Sequence, residues 1–101
     1  MSYKSILVHV DKTDNVSARI KLAARVALNE HAHLTGIAVT GIASFLYQAG
    51  LVNNSDPALA THLQAEMDIL REGAQEALDD FSRIVQKLQV RSVETLMVDD
   101  Q

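Results

Sequence analysis

The spacing of apolar residues changes repeatedly along this chain, and each change predicts an element. Ser5-Ile6-Leu7-Val8-His9-Val10 is a short, nearly continuous apolar run rich in β-branched residues, the pattern of a strand covered on both faces of a parallel sheet. Asp11 ends it, and Lys12-Thr13-Asp14-Asn15 supplies turn and capping residues. From Val16 the spacing switches to three or four, through Ile20, Ala23, Ala24, Ala27 and Leu28, which predicts an amphipathic helix. Arg19, Lys21 and Arg25 fall on its outer face, and it is expected to end among residues 29–33. Residues 34–40 return to strand character, with Ile37 and Val39 on one face and the small Gly36 and Ala38 on the other.

A long connection follows, residues 41–55, in which Ile42, Phe45, Leu46, Tyr47, Leu51 and Val52 are too apolar for a solvated loop. It is expected to hold a helical turn and to pack as a flap. The whole of 34–55 carries no charge and is long enough to span a bilayer, but Gly36, Gly41 and Gly50 with several Thr, Gln and Asn residues break it. A buried strand followed by a weakly polar loop accounts for it better. Ser55-Asp56-Pro57 then opens a helix, with proline at the first helical position. Leu63, Met67, Leu70, Ala74, Ala77, Phe81, Ile84 and Leu88 alternate spacings of four and three, so the helix runs to about Leu88, on the order of 45 Å at 1.5 Å per residue. That exceeds one short strand, so its early turns should project past the sheet. Acids precede bases along it, which suits the helix dipole and offers the pair Asp79–Arg83. Residues 93–98 alternate as a third strand.

The order strand, helix, strand, helix, strand predicts an α/β fold with an open parallel sheet, Rossmann-like, joined by right-handed crossovers. Both helices then lie on one face. The first strand keeps an open edge while its apolar side chains ask for cover on both sides. The expectation is a single domain over residues 1–101 that is part of a larger sheet, completed by chain beyond Gln101 or by another copy.

Composition narrows the function. A chain of 101 residues, 48% apolar and 22% charged, has room for one domain. Cysteine is absent, which excludes disulfides, thiolate zinc sites and thiol nucleophiles. A net charge of −4 and 4% aromatic residues suit neither phosphate tracking nor base stacking, so nucleic acid is a poor partner. The first apolar run is too short for a signal peptide, and a cytoplasmic location is expected.

In an open parallel sheet, ligands sit outside the carboxyl ends of the strands, which singles out Asp11 and Val39-Thr40-Gly41. The Asp11 carboxylate can accept hydrogen bonds from hydroxyls or an exocyclic amine, or it can simply cap the turn before the helix; the sequence leaves both open. The stretch Tyr3-Lys4-Ser5-Ile6-Leu7-Val8-His9-Val10-Asp11, the Ser17-Ala18 to Ala27 helix and Leu34-Thr35-Gly36-Ile37-Ala38-Val39 resemble the start of a universal stress protein. The long second helix and Ser92-Val93-Glu94 are similar in place and character.

That resemblance implies a five-stranded, adenine nucleotide alpha hydrolase-like sheet of order 3-2-1-4-5, of which the last two strands are missing here. It implies dimerisation, and ATP binding in some members. On it, Asp11 matches the acid that contacts the nucleoside, Val39 the position whose backbone faces adenine, and His9 and Val10 the start of the pocket wall. The family's glycine-rich phosphate loop has no counterpart, since no glycine follows Gly73. Tight ATP binding is therefore not expected of this chain, although a longer parent could take an adenine nucleotide.

Other constellations are weaker. His31-x-His33 has a conceivable metal spacing but lies at a helix-to-strand junction, and His62 reads as a surface residue. Asn53-Asn54-Ser55 matches a glycosylation acceptor that has meaning only on secretion. No serine in a nucleophile elbow accompanies His9 and Asp11. The expectation is a non-catalytic stress-response domain acting by nucleotide sensing or protein association. The alternative is a dimerising scaffold without nucleotide, self-associating through the first strand's edge, the 41–55 flap or the long helix. An adenylyl-transfer or hydrolase enzyme of the same superfold ranks below both.

Overall fold

A computed structural model describes residues 4–50 and 57–99, with side chains over 4–48 and 61–99. The elements are β1 (Ser5–His9), α1 (Val16–Glu30), β2 (His33–Val39), α2 (Ile42–Gly50), α3 (Pro57–Lys87) and β3 (Val93–Val98). The three strands form one parallel sheet in the order β1-β2-β3, so β2 is central and both others are edges. Leu34 aligns with Ile6 on one side and Val93 on the other, and Gly36 with Val8 and Thr95.

This register sorts the side chains. Ile6, Val8, Val10, Leu34, Ala38, Val93 and Met97 join a core with Ile20, Ala24 and Ala27 of α1 and Ala77, Leu78, Phe81 and Val85 of α3. Both crossover helices therefore pack on one face, as right-handed connections require. The Phe81 ring is fully buried and lies over Gly36, where a Cβ would come within 2.7 Å of it. The small Gly36 and Ala38 thus make room for α3. On the opposite face, Leu7 remains 64% and Leu96 47% exposed, although parallel strands normally have both faces covered.

Three expectations need correction. The 41–55 segment holds a nine-residue helix, α2, rather than a single turn. Gly41 adopts φ +79°, the Thr40 hydroxyl accepts the Ile42 N–H at 3.1 Å, and the Gly41 carbonyl accepts the Phe45 N–H at 3.0 Å. Ile42, Phe45 and Leu46 already had helical spacing, but the uncharged composition hid it. Leu28, assigned to the inner face of α1, is exposed, while Ala32 beyond the helix is buried. Asp79 does not pair with Arg83: Arg83 bonds Asp80, three residues back, and Asp79 accepts from Gln75.

Pro57 begins α3 as expected; the Ser55-Asp56 cap, Asn53-Asn54-Ser55, and Leu51 and Val52 lie outside the described residues. The helix carries 31 residues, about 46 Å at 1.5 Å per residue, and the molecule extends 55 × 26 × 19 Å. Among the described residues no helix is long and apolar enough to cross a membrane.

Candidate functional site

The carboxyl ends of the strands are built from the β1–α1 turn and the β2–α2 junction. Asp11 leaves β1 into an Asx-type turn: its Oδ1 accepts the Thr13 N–H at 3.0 Å and the Thr13 hydroxyl at 2.6 Å. Oδ2 lies 3.6 Å from Arg19 Nη1, and that guanidinium donates to the His9 carbonyl at 2.9 Å. Bonding from the Thr13 hydroxyl, then the Thr13 N–H, with the Arg19 charge a smaller cause, holds the Asp11 carboxyl below the ordinary carboxylate range. Asp11 is exposed, so one oxygen serves the turn and the other sits at the surface beside a cation.

His9 is also exposed, at the last position of β1, opposite Ile37. Together with Arg19, Leu7 and Leu22 it lines a hollow of about 460 Å³ along the free edge of β1. Val10 points the other way: its side chain is buried among the core residues under α1 and α3, and its N–H donates to the Ile37 carbonyl at 2.9 Å. Val39, half-buried, ends β2 opposite Val98. Beyond it the Thr40 N–H donates to the Val98 carbonyl and the Thr40 hydroxyl to Asp99 Oδ1 at 2.8 Å, while the Asp99 carbonyl receives the Ala43 N–H. The fold thus joins His9 and Asp11 through Arg19 and anchors the Val39 end through Thr40 and Asp99. Lys12 reaches across to Glu76 of α3 at 2.9 Å and ties the turn to the helix layer.

A second cluster lies at the amino end of the sheet, where the sequence offered only the weak His31-x-His33 metal spacing. His33 Nδ1 is 2.7 Å from the Ser92 hydroxyl and Nε2 is 2.9 Å from Glu94 Oε1. These residues meet only through the β2–β3 register, which brings 33 beside 92 and 94. Nothing local in the sequence signals that pairing. His31, grouped with His33 as a metal pair, caps α1 instead in a left-handed conformation. Among the described residues there is no group of three or more His, Cys, Asp or Glu side chains placed to hold a metal.

No family model matches this chain, and no curated protein does. Solved structures do. Universal stress protein UspA from Lactobacillus plantarum matches with a TM-score of 0.71 at 23% identity, over 98% of this chain and 62% of its own. A protein from the universal stress protein family of Burkholderia pseudomallei matches with a TM-score of 0.64 at 22% identity, over 98% and 64%. The chain has a universal stress protein-like fold, an open Rossmann-like parallel α/β sheet. It spans less than two thirds of the length of each of these relatives.

Proposed function

We propose that this chain is a stress-response domain of the universal stress protein type whose carboxyl sheet end acts by binding, through nucleotide sensing or protein association. The observation that carries the reading is the exposed Asp11 carboxylate, held ionised beside Arg19 at the end of β1 in this fold. A carboxylate so placed suits the hydroxyls of a nucleoside, with the backbone near Val39 available to a planar base. The ligand favoured is the adenosine portion of an adenine nucleotide.

A thermal-shift titration with ATP, AMP and adenosine tests this, because a ligand selective for the native state raises its apparent stability. The expected result is a modest upward shift with all three that Asp11→Ala abolishes. Absence of any shift would leave the second reading, an association scaffold, which the exposed Leu7 and Leu96 on the uncovered sheet face favour.

A further inference from the structure

We propose that Ser92, His33 and Glu94 form an acyl-transfer centre that hydrolyses small carboxylic esters at the amino end of the sheet, remote from the nucleotide reading and independent of it. Three observations converge there. The Ser92 hydroxyl lies within hydrogen-bond reach of His33 Nδ1, and the other ring nitrogen of His33 lies within reach of the Glu94 carboxylate. An ionised carboxylate accepts only, so Nε2 carries the proton and the Nδ1 lone pair faces the Ser92 O–H. That is the nucleophile, base and orienting acid of a serine hydrolase, with the two ring nitrogens exchanged in role; such a set is recognised by geometry rather than by sequence order. The third observation is an adjoining cavity of about 370 Å³, lined by Ser92 but not by His33 or Glu94. Its apolar wall of Ala27, Leu28 and Val90 suits a short acyl chain, and Arg91 supplies a cation with no ion-pair partner among the described residues.

The chemistry balances without a further reagent. Ser92 Oγ attacks the ester carbonyl carbon while its proton passes to His33 Nδ1, and Arg91, which lines the same cavity, is the cation available to the developing negative oxygen. The tetrahedral adduct collapses, the C–O bond to the leaving alcohol breaks, and His33 returns the proton to that alcohol. Water then attacks the acyl-Ser92 ester with His33 taking its proton, and the carboxylic acid leaves as Ser92 recovers its hydrogen. Ser92 and His33 are the catalytic residues in this scheme, and Glu94 is a positioning residue that fixes the tautomer.

The test uses p-nitrophenyl acetate and a fluorophosphonate probe on the whole chain. Ser92→Ala and His33→Gln should each lower p-nitrophenol release about 100-fold, the lower side of what a positioned general base contributes. The fluorophosphonate should be found by mass spectrometry on the peptide containing Ser92. Glu94→Gln should slow release with no change in melting temperature, and Glu94→Asp should restore part of the rate, which a merely structural role would not do. Surface imidazoles such as His9 and His62 also cleave this ester, but their contribution survives in Ser92→Ala. If Ser92→Ala releases p-nitrophenol at the parent rate, or the probe labels no serine at position 92, the proposal is overturned. Should His33→Gln fail to fold, the exposed Ser92→Ala carries the decision alone.

Discussion

Gly36 and Phe81 show how one missing side chain sets the distance between layers. The ring edge sits where a Cβ on residue 36 would be, at 2.7 Å, with neither partner free to yield because both are buried. Gly36→Ala should therefore cost about 1–3 kcal/mol, the usual range for overpacking a filled core, read as a lower urea midpoint at unchanged slope. Phe81→Leu in the same chain should recover part of that loss; a Gly36→Ala protein as stable as its parent would show that α3 is not seated on β2 as described. The alternation of Gly36 and Ala38 against Ile37 and Val39 was legible in the sequence, because a period of two admits only two faces. What faced Gly36 was not, since Phe81 arrives through a pairing distant in sequence. The same holds for Asp11. Its position after the strand was readable, whereas the division of its oxygens between Thr13 and Arg19 depends on the rotamers of a folded turn.

At the level of elements, the two crossover helices end alike. α1 closes with His31 at φ 52°, its N–H and that of Ala32 turned back to the Leu28 and Ala27 carbonyls, and α3 closes with Gln89 at φ 64°, followed by Val90 bonding to Val85. Both ends need a left-handed residue, and neither uses glycine, which adopts that conformation without steric penalty. Gln89→Gly should therefore stabilise the protein by about 0.5 kcal/mol, the relief of the left-handed conformation outweighing the extra freedom glycine gains in the unfolded chain. A lower melting temperature would contradict it. Sequence rules missed these stops because they look for glycine, and they placed the ends from loss of periodicity instead. The inner stripe of α3 was legible from Ala74 to Leu88, while Leu63, Met67 and Leu70 of the same spacing lie outside the core; Leu78 and Val85, also buried, fell outside a single 3–4 seam because α3 packs on both the sheet and α1. A single stripe underestimates the buried surface of a helix that touches two neighbours.

The molecule as a whole is elongated, with a radius of gyration of 16.9 Å against about 13 Å for a compact chain of this length. Its helices cover one face of the sheet and leave Leu7 and Leu96 on the other. On the scaffold reading this face is where copies meet. Sedimentation across a concentration series should then show self-association that Leu7→Ser with Leu96→Ser weakens; a monomer throughout, with the parent fold intact, would remove that reading. The order of strands and helices was enough to foresee an uncovered face, because right-handed crossovers fix the side on which both helices fall. The central place of β2 also sets an expected order of assembly. Its partner Ser5 lies 28 residues from His33 (33 − 5), whereas Leu34 and Val93 are 59 apart (93 − 34). Closing the longer loop costs more entropy and requires all of α3, so the amino-terminal strand–helix–strand unit should form first and β3 should dock last. His33 belongs to the early unit, Ser92 and Glu94 to the late one. Their hydrogen-bonded chain should therefore be completed only in the final docking step, and it is lost whenever β3 opens from β2.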